Sequence, residues 1–239
     1  CASYAPVMES FSIDEVFLDM TGTQLIYPDP VATAHEIKDR IRTELGFTVN
    51  VGISVNKLLA KMASDFEKPD RVHTLYPEEI PAKMWPLPVR DLLFLGKASE
   101  KRLVQHGIQT IGDLAHADER DIKRLLGEKS GHQLYLSANG SDDSPVKEQR
   151  DEAKGISVET TFENDIVSFE QVWPILLSQC DIVAARMRRE GKKCSCVAVS
   201  FRTLDFKNKS HQCTLSHATD VTDEIYQTAK LLFKESWKQ

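Results

Sequence analysis

Two adjacent acids, Asp14 and Glu15, sit inside an apolar, strand-prone run that extends from Phe11 to Met20. No other feature restricts the fold as much. A carboxylate buried without a partner is costly, so a strand carrying two in succession must turn them outward or pair them. Apolar residues occupy odd positions before the pair (Phe11, Ile13) and even positions after it (Val16, Leu18, Met20), with Phe17 as the exception. Strand side chains alternate between faces, so a change of phase at residues 14 and 15 requires a turn or bulge there. Neighbours in a regular strand point to opposite faces; at a bend they can share one ligand. A divalent cation such as Mg²⁺ accepts one or two carboxylates together with substrate phosphates. A solvated hairpin tip is the simpler reading of the pair taken alone, since Asp is a common turn residue.

Strands and helices alternate after the hairpin. Ala34, Ile37, Ile41 and Leu45 form one helical stripe over residues 31–45, and Gly46 suits the stop. Residues 47–53 alternate as a strand. A second helix follows, with Asn56 as N-cap and Leu58, Leu59, Met62, Ala63 and Phe66 as its apolar face. Residues 72–76 form a further strand, and the whole region predicts a single sheet with helices packed on it. Lys57 and Lys61, four apart on the second helix, share a face that is either solvated or turned to phosphates.

Pro81, Pro86 and Pro88 mark a boundary. Residues 89–95 and 99–106 then predict two helices joined by Gly96-Lys97-Ala98. Such a turn is either an ordinary helical hairpin or one that offers backbone N–H groups to a nucleic-acid phosphate. Further helices are expected over 111–115, 118–126 and 131–138, then a polar tether over 139–154. The remainder reads β-α-β-β-α: a strand at 156–162, a helix at 169–189, strands at 194–204 and 211–215, and a helix at 220–238.

The 239 residues contain no apolar stretch approaching the roughly 18 needed to span a membrane. Five cysteines without framework spacing predict reduced thiols in a cytoplasm, and Cys194, Cys196 and Cys213 with His211 make a poor zinc set because two of them share a strand. The net charge of −6 is unevenly spread: residues 186–209 hold eight basic groups against Glu190 and Asp205. Phosphate binding depends on such local charge, so an acidic total does not exclude a nucleic-acid partner. Arg202, Lys207, Lys209 and Ser210 form the candidate row for backbone contacts, the alternative being a solvated sheet face.

Ser12-Ile13-Asp14-Glu15 with Phe17-Leu18-Asp19 resembles the second acidic motif of the Y-family (translesion) DNA polymerases. Gly52-Ile53-Ser54-Val55-Asn56-Lys57, Leu59 to Asp65 and Lys68-Pro69 resemble the next motif, in the right order and spacing, closest to the DinB branch. The resemblance implies an α+β, multidomain chain: partial palm (1–85), all-helical thumb with a helix-hairpin-helix (86–138), linker (139–154) and little finger (155–239). It implies Asp14 and Glu15 as catalytic metal ligands for two Mg²⁺ ions, and Lys68 as the contact to the incoming dNTP. Gly96, Lys97 and Ala98, with Arg202, Lys207, Lys209 and Ser210, become contacts to primer–template DNA.

The family's first metal-binding Asp, steric gate and fingers would precede Cys1, and a final strand and sliding-clamp tail would follow Gln239. The expectation is therefore a truncated fragment that binds DNA without extending it. The alternative is a non-catalytic DNA-binding paralogue using thumb and little finger. Asp70-Arg71 departs from the polar residue and glycine usual after Lys68-Pro69.

Overall fold

The computed structural model describes residues 1–148 and 153–237, and the chain divides into two compact units, residues 1–150 and 151–239. Residues 149–152 of the expected tether, and residue 238 of the last expected helix, lie outside the described residues.

The first unit opens with the hairpin that the acid pair demands. β1 (Val7–Ser10) and β2 (Val16–Asp19) are antiparallel, paired from Val7↔Asp19 to Ser10↔Val16. The N–H groups of Phe11 and Ser12 both donate to the Glu15 carbonyl, at 2.9 and 3.3 Å, so the two acids fall in the closed turn.

Helix α1 (Pro30–Leu45) starts where Asp29 accepts the N–H groups of Val31 and Ala32 at 2.9 and 3.1 Å, and it stops at Gly46, whose φ is 79°. Both devices satisfy backbone groups that a helix end leaves orphaned. β3 (Val51–Ile53) and β4 (Val72–Thr74) pair in parallel, connected through α2 (Lys57–Ser64), which Asn56 caps by accepting the Leu59 N–H at 2.9 Å. Strand and helix meet at Gly52. A Cβ there would collide with the Ala60 carbonyl and come 2.5 Å from the Ser64 nitrogen, so only glycine permits the approach.

The expected single sheet is instead two separate pairs, β1–β2 and β3–β4, among the described residues. The ladder at residues 47–53 is likewise confined to Val51–Ile53, with Phe47 exposed. The hairpin is attached to the rest of the unit by side chains. Lys57 Nζ lies 2.8 and 2.9 Å from the Glu9 oxygens and 5.2 Å from the centre of the Phe17 ring.

Behind α2, one hydrophobic cluster runs unbroken from Leu58 to Ala138 across the proline-marked boundary. It takes in α3 (Ile80–Lys83), α4 (Lys97–Gln105), α5 (Ile111–His116), α6 (Glu119–Leu126) and α7 (Glu128–Ala138). Leu59, Leu75, Met84, Leu103, Ile111 and Leu114 are wholly buried in it. The helix expected at 89–95 is only a 3-10 turn, Val89–Asp91, followed by Phe94 at φ 67°. A helix start leaves its first N–H groups without intrahelical partners, so the bond from Val89 N–H to the Gln109 carbonyl would not prevent one; the turn stops because Leu92 is extended, with ψ 128°.

The first half of the expected tether is tied down. Asn56 Nδ2 donates to the Gly140 carbonyl at 2.9 Å, Asp142 accepts the Leu58 N–H at 3.1 Å, and Glu9 accepts the Lys147 N–H at 2.8 Å. Asp142 thus becomes a second cap on α2, which a polar composition alone does not reveal.

In the second unit, α8 (Phe169–Arg189) and α9 (Thr222–Ser236) cover one face of the antiparallel pair β5 (Cys194–Arg202) and β6 (Asn208–Thr219). Val197, Val199 and Phe201 point into that core, with Phe201 and Phe233 ring centres 5.0 Å apart. The strand expected at 156–162 is missing among the described residues, giving α-β-β-α in place of β-α-β-β-α. Its Ser157 carbonyl accepts from the Arg186 guanidinium at 3.0 Å, outside any ladder, while Ile156 packs against the core. No helix among the described residues is long and apolar enough to cross a membrane.

Candidate functional site

The hairpin turn brings its two carboxylates to one hydroxyl. Ser12 Oγ lies 2.6 Å from Asp14 Oδ1 and 3.3 Å from Glu15 Oε2, with Asp14 exposed and Glu15 half-buried. The change of phase in the sequence therefore does place both acids on one side, as a shared ligand requires. Hard carboxylate and hydroxyl oxygens suit Mg²⁺, which commonly takes one or two carboxylates and completes its octahedron with water and phosphate. Among the described residues no group of three His, Cys, Asp or Glu converges, so only these two carboxylates meet at the turn.

A chain of ion pairs leads away from the acids. Lys61 Nζ is 2.8 Å from Glu15 Oε1 and 2.7 Å from Asp65 Oδ2, and Asp65 Oδ1 is 2.8 Å from Lys68 Nζ. Burial opposes the Lys61 charge, yet Asp65 and Glu15 outweigh it and hold the ammonium above the ordinary lysine range. Burial likewise pushes Asp65 upward, and Lys61 with Lys68 outweigh it and hold that carboxyl below its ordinary range. Lys68 is the exposed end of this chain. Of the two lysines on the shared face of α2, neither is free for phosphate: Lys57 is bound to Glu9, and Lys61 to Glu15 and Asp65. Asp65, the hub, was not singled out from the sequence, although its spacing from Lys61 is the usual i,i+4 of a helical ion pair.

Asp70 follows at φ 60° and pairs with Lys38 at 3.1 Å and Arg42 at 2.8 Å, both on α1. Its place after Lys68-Pro69 is thus anchored to the helix opposite.

Gly96, Lys97 and Ala98 form the start of α4. Gly96 is its N-cap and supplies no side-chain partner, while its carbonyl accepts from Ser99 and Glu100 at 3.0 Å each. A helix start of this kind directs backbone N–H groups and positive dipole outward.

The basic row of the second unit divides between locations. In the register Arg202↔Asn208, Phe201↔Lys209 and Ser200↔Ser210, directly opposed residues share a face. Arg202 and Ser210 therefore lie on the open face with Ser200, Asn208 and Gln212, and Arg202 Nε donates to Asn208 Oδ1 at 2.9 Å. Lys209 lies on the helix-covered face, its Nζ 6.0 Å from the centre of the Phe201 ring. Lys207 belongs to the connecting turn and pairs with Asp205 at 2.5 Å. The period of two along Val197-Ala198-Val199-Ser200-Phe201-Arg202 already set Arg202 on the face opposite Phe201, whereas the face of Lys209 is decided by the β5–β6 register.

Three family models match the chain. The impB/mucB/samB family matches residues 1–65, its C-terminal domain matches residues 153–239, and the DNA polymerase-iota thumb domain matches residues 90–142. DNA polymerase IV of Clostridium acetobutylicum is 44% identical over 234 residues, which is 98% of this chain and 59% of that protein. DNA polymerase IV 1 of Bacillus subtilis is 35% identical over 237 residues, 99% of this chain and 57% of that protein. The chain therefore spans less than two thirds of the length of these relatives. Among solved structures, a Y-family DNA polymerase chimera aligns with TM-score 0.74 at 21% identity, over 98% of this chain and 67% of its own. DinB from Sulfolobus solfataricus aligns with TM-score 0.56 at 22% identity, over 98% and 67%. With its acid-bearing hairpin, its helices and its second unit each matched in order, the chain belongs to the impB/mucB/samB family, the Y-family DNA polymerases of the DinB kind.

Proposed function

We propose that the protein carrying this chain performs template-directed DNA synthesis past lesions, joining a dNTP to a primer 3′-hydroxyl. The convergence of Asp14 and Glu15 on Ser12 Oγ carries this proposal. Asp14 and Glu15 would hold Mg²⁺, two ions in the complete site, and the bound ions would supply electrostatic stabilisation of the oxygens that exchange at phosphorus. Lys68 is assigned to the triphosphate, where an ammonium offsets charge gathering on the leaving pyrophosphate. Asp65 keeps that ammonium close until phosphate oxygens replace it.

Primer–template DNA is assigned to two surfaces: the α4 start at Gly96, Lys97 and Ala98, and the open β5–β6 face carrying Arg202 and Ser210. Lys207 and Lys209 are assigned less direct roles, Lys207 from the turn and Lys209 as long-range charge. Palm, thumb and little finger are proposed for residues 1–85, 86–138 and 155–239. A cytoplasmic setting and a sliding-clamp partner are proposed from the family relationship alone.

The 239-residue chain by itself is proposed to bind DNA without extending it, because two carboxylates are poor holders of a pair of mutually repelling dications. Primer extension by the protein carrying this chain tests the site. Asp14→Ala or Glu15→Ala should abolish extension while DNA affinity stays within a few fold. Near-normal extension by either variant would remove the assignment. A wild-type protein that binds primer–template DNA but never extends it would favour the non-catalytic paralogue.

A further inference from the structure

Glu15 divides its two oxygens between different neighbours. Oε1 is taken by Lys61 Nζ at 2.8 Å, while Oε2 lies 3.3 Å from the Ser12 hydroxyl that also donates to Asp14 Oδ1 at 2.6 Å. Lys61 is itself well anchored: its side chain is only 13% exposed, and Asp65 Oδ2 lies 2.7 Å away on the next turn of α2. The hairpin shares no ladder with β3–β4, so its tip is located by the Lys61 contact and its middle by Lys57, one helical turn earlier.

We propose that Lys61 is a positioning residue that makes Glu15 a one-oxygen ligand and thereby biases the acid pair toward Mg²⁺ over Ca²⁺; this rests on the assignment of Asp14 and Glu15 as dication ligands. The chemistry follows from the two ions' requirements. Mg²⁺ demands a compact octahedron and keeps several waters, so one oxygen from each carboxylate suffices. Ca²⁺ collects a larger shell and readily takes a carboxylate through both oxygens. With Lys61 donating to Oε1, two-oxygen binding by Glu15 must first break a charge-assisted hydrogen bond. The lysine's charge repels both dications alike, so it cancels in the ratio of their affinities. That ratio isolates the effect on Glu15.

The test is a titration of the 239-residue chain with MgCl₂ and, separately, CaCl₂, following the backbone amide resonances of Asp14 and Glu15 by NMR. Lys61→Met should shift the ratio of the two dissociation constants toward Ca²⁺ by about tenfold, the worth of one charge-assisted hydrogen bond. Lys61→Arg, which can still donate to Oε1, should keep the ratio within about twofold of wild type. Lys61→Leu, which likewise cannot donate, is read in the same way and covers the case in which methionine disturbs α2. An unchanged ratio in both neutral variants, with wild type still responding at residues 14 and 15, overturns the role of Lys61. Wild-type amides that ignore both ions, or a double variant Asp14→Ala/Glu15→Ala that binds as well as wild type, would instead remove the ligand assignment beneath it.

Discussion

Arg202 and Lys209 carry the same charge seven residues apart, yet they lie on opposite faces of the β5–β6 pair. If the open face tracks a DNA backbone, only Arg202 is placed to neutralise a phosphate directly. Each phosphate neutralised on duplex DNA contributes about 0.9 to the slope of log affinity against log salt. Between 50 and 200 mM salt, one such contact amounts to a change of roughly 3.5-fold in affinity. Arg202→Ala should therefore lower the slope by about 0.9 and leave its remaining salt dependence linear. Lys209→Ala should change the slope by less than about 0.3, because its ammonium sits over Phe201 on the helix-covered side. The assay is fluorescence anisotropy with a labelled primer–template duplex at five or more salt concentrations, each variant beside wild type. Equal loss of slope in the two variants would refute the separation by face. A Lys209→Ala loss larger than that of Arg202→Ala would overturn the assignment of DNA to the open face. An unchanged slope in both would return residues 186–209 to an ordinary solvated surface.

Further outcomes concern the architecture around the acids. Gly52→Ala should destabilise the first unit by about 3 kcal/mol or more, because its Cβ meets backbone atoms of α2 that cannot swing aside. Thermal unfolding should show this as a fall in Tm of about 6–12 °C; a fall below about 2 °C would mean that β3 and α2 are not in such close contact. Glu9 tests pH dependence: burial raises its pKa, but Lys57 and the Lys147 N–H outweigh that and hold it below the ordinary glutamate value. A depressed carboxylate contributes stability that is complete above its unfolded pKa, about 4.3, and is lost as pH falls through the folded value. Glu9→Gln should thus lower stability in urea at pH 7 and cost progressively less below pH of about 4. An equal cost at both ends of that range would mean that the Glu9–Lys57 pair contributes no net electrostatic stability.

The elements read most directly were those whose local signals agree. The helix at 169–189 matches α8 (Phe169–Arg189) because its apolar stripe, its Gln171 side chain accepting the Val167 and Ser168 N–H groups, and its basic last turn are all local to one helix. The turn at Asp14 and Glu15 was likewise legible, since a change of strand phase is a local event. Ile156 to Phe162 shows the opposite case. Its composition is strand-like, but a strand exists only if another edge receives its hydrogen bonds, and the Ser157 carbonyl meets a guanidinium instead. Residues 89–95 stop after one turn because Leu92 is extended, at ψ 128°, and Phe94 has φ 67°, a backbone course that no local pattern announces.

Sequence alone determined that two acids turn together at a hairpin tip, that Asn56 starts a helix, and that charge gathers between residues 186 and 209. Each follows from periodicity, residue type or local composition, which are properties of short stretches of chain. Tertiary structure alone decided which lysine meets which acid. Lys57 and Lys61 look alike on one face of α2, and only the docking of a separate hairpin gives the first to Glu9 and the second to Glu15. The same holds for the loop that Asp142 fastens to α2, 84 residues away in sequence at Leu58. Ion pairs and caps between distant segments depend on distances that close only after the core has packed, and no local pattern encodes them.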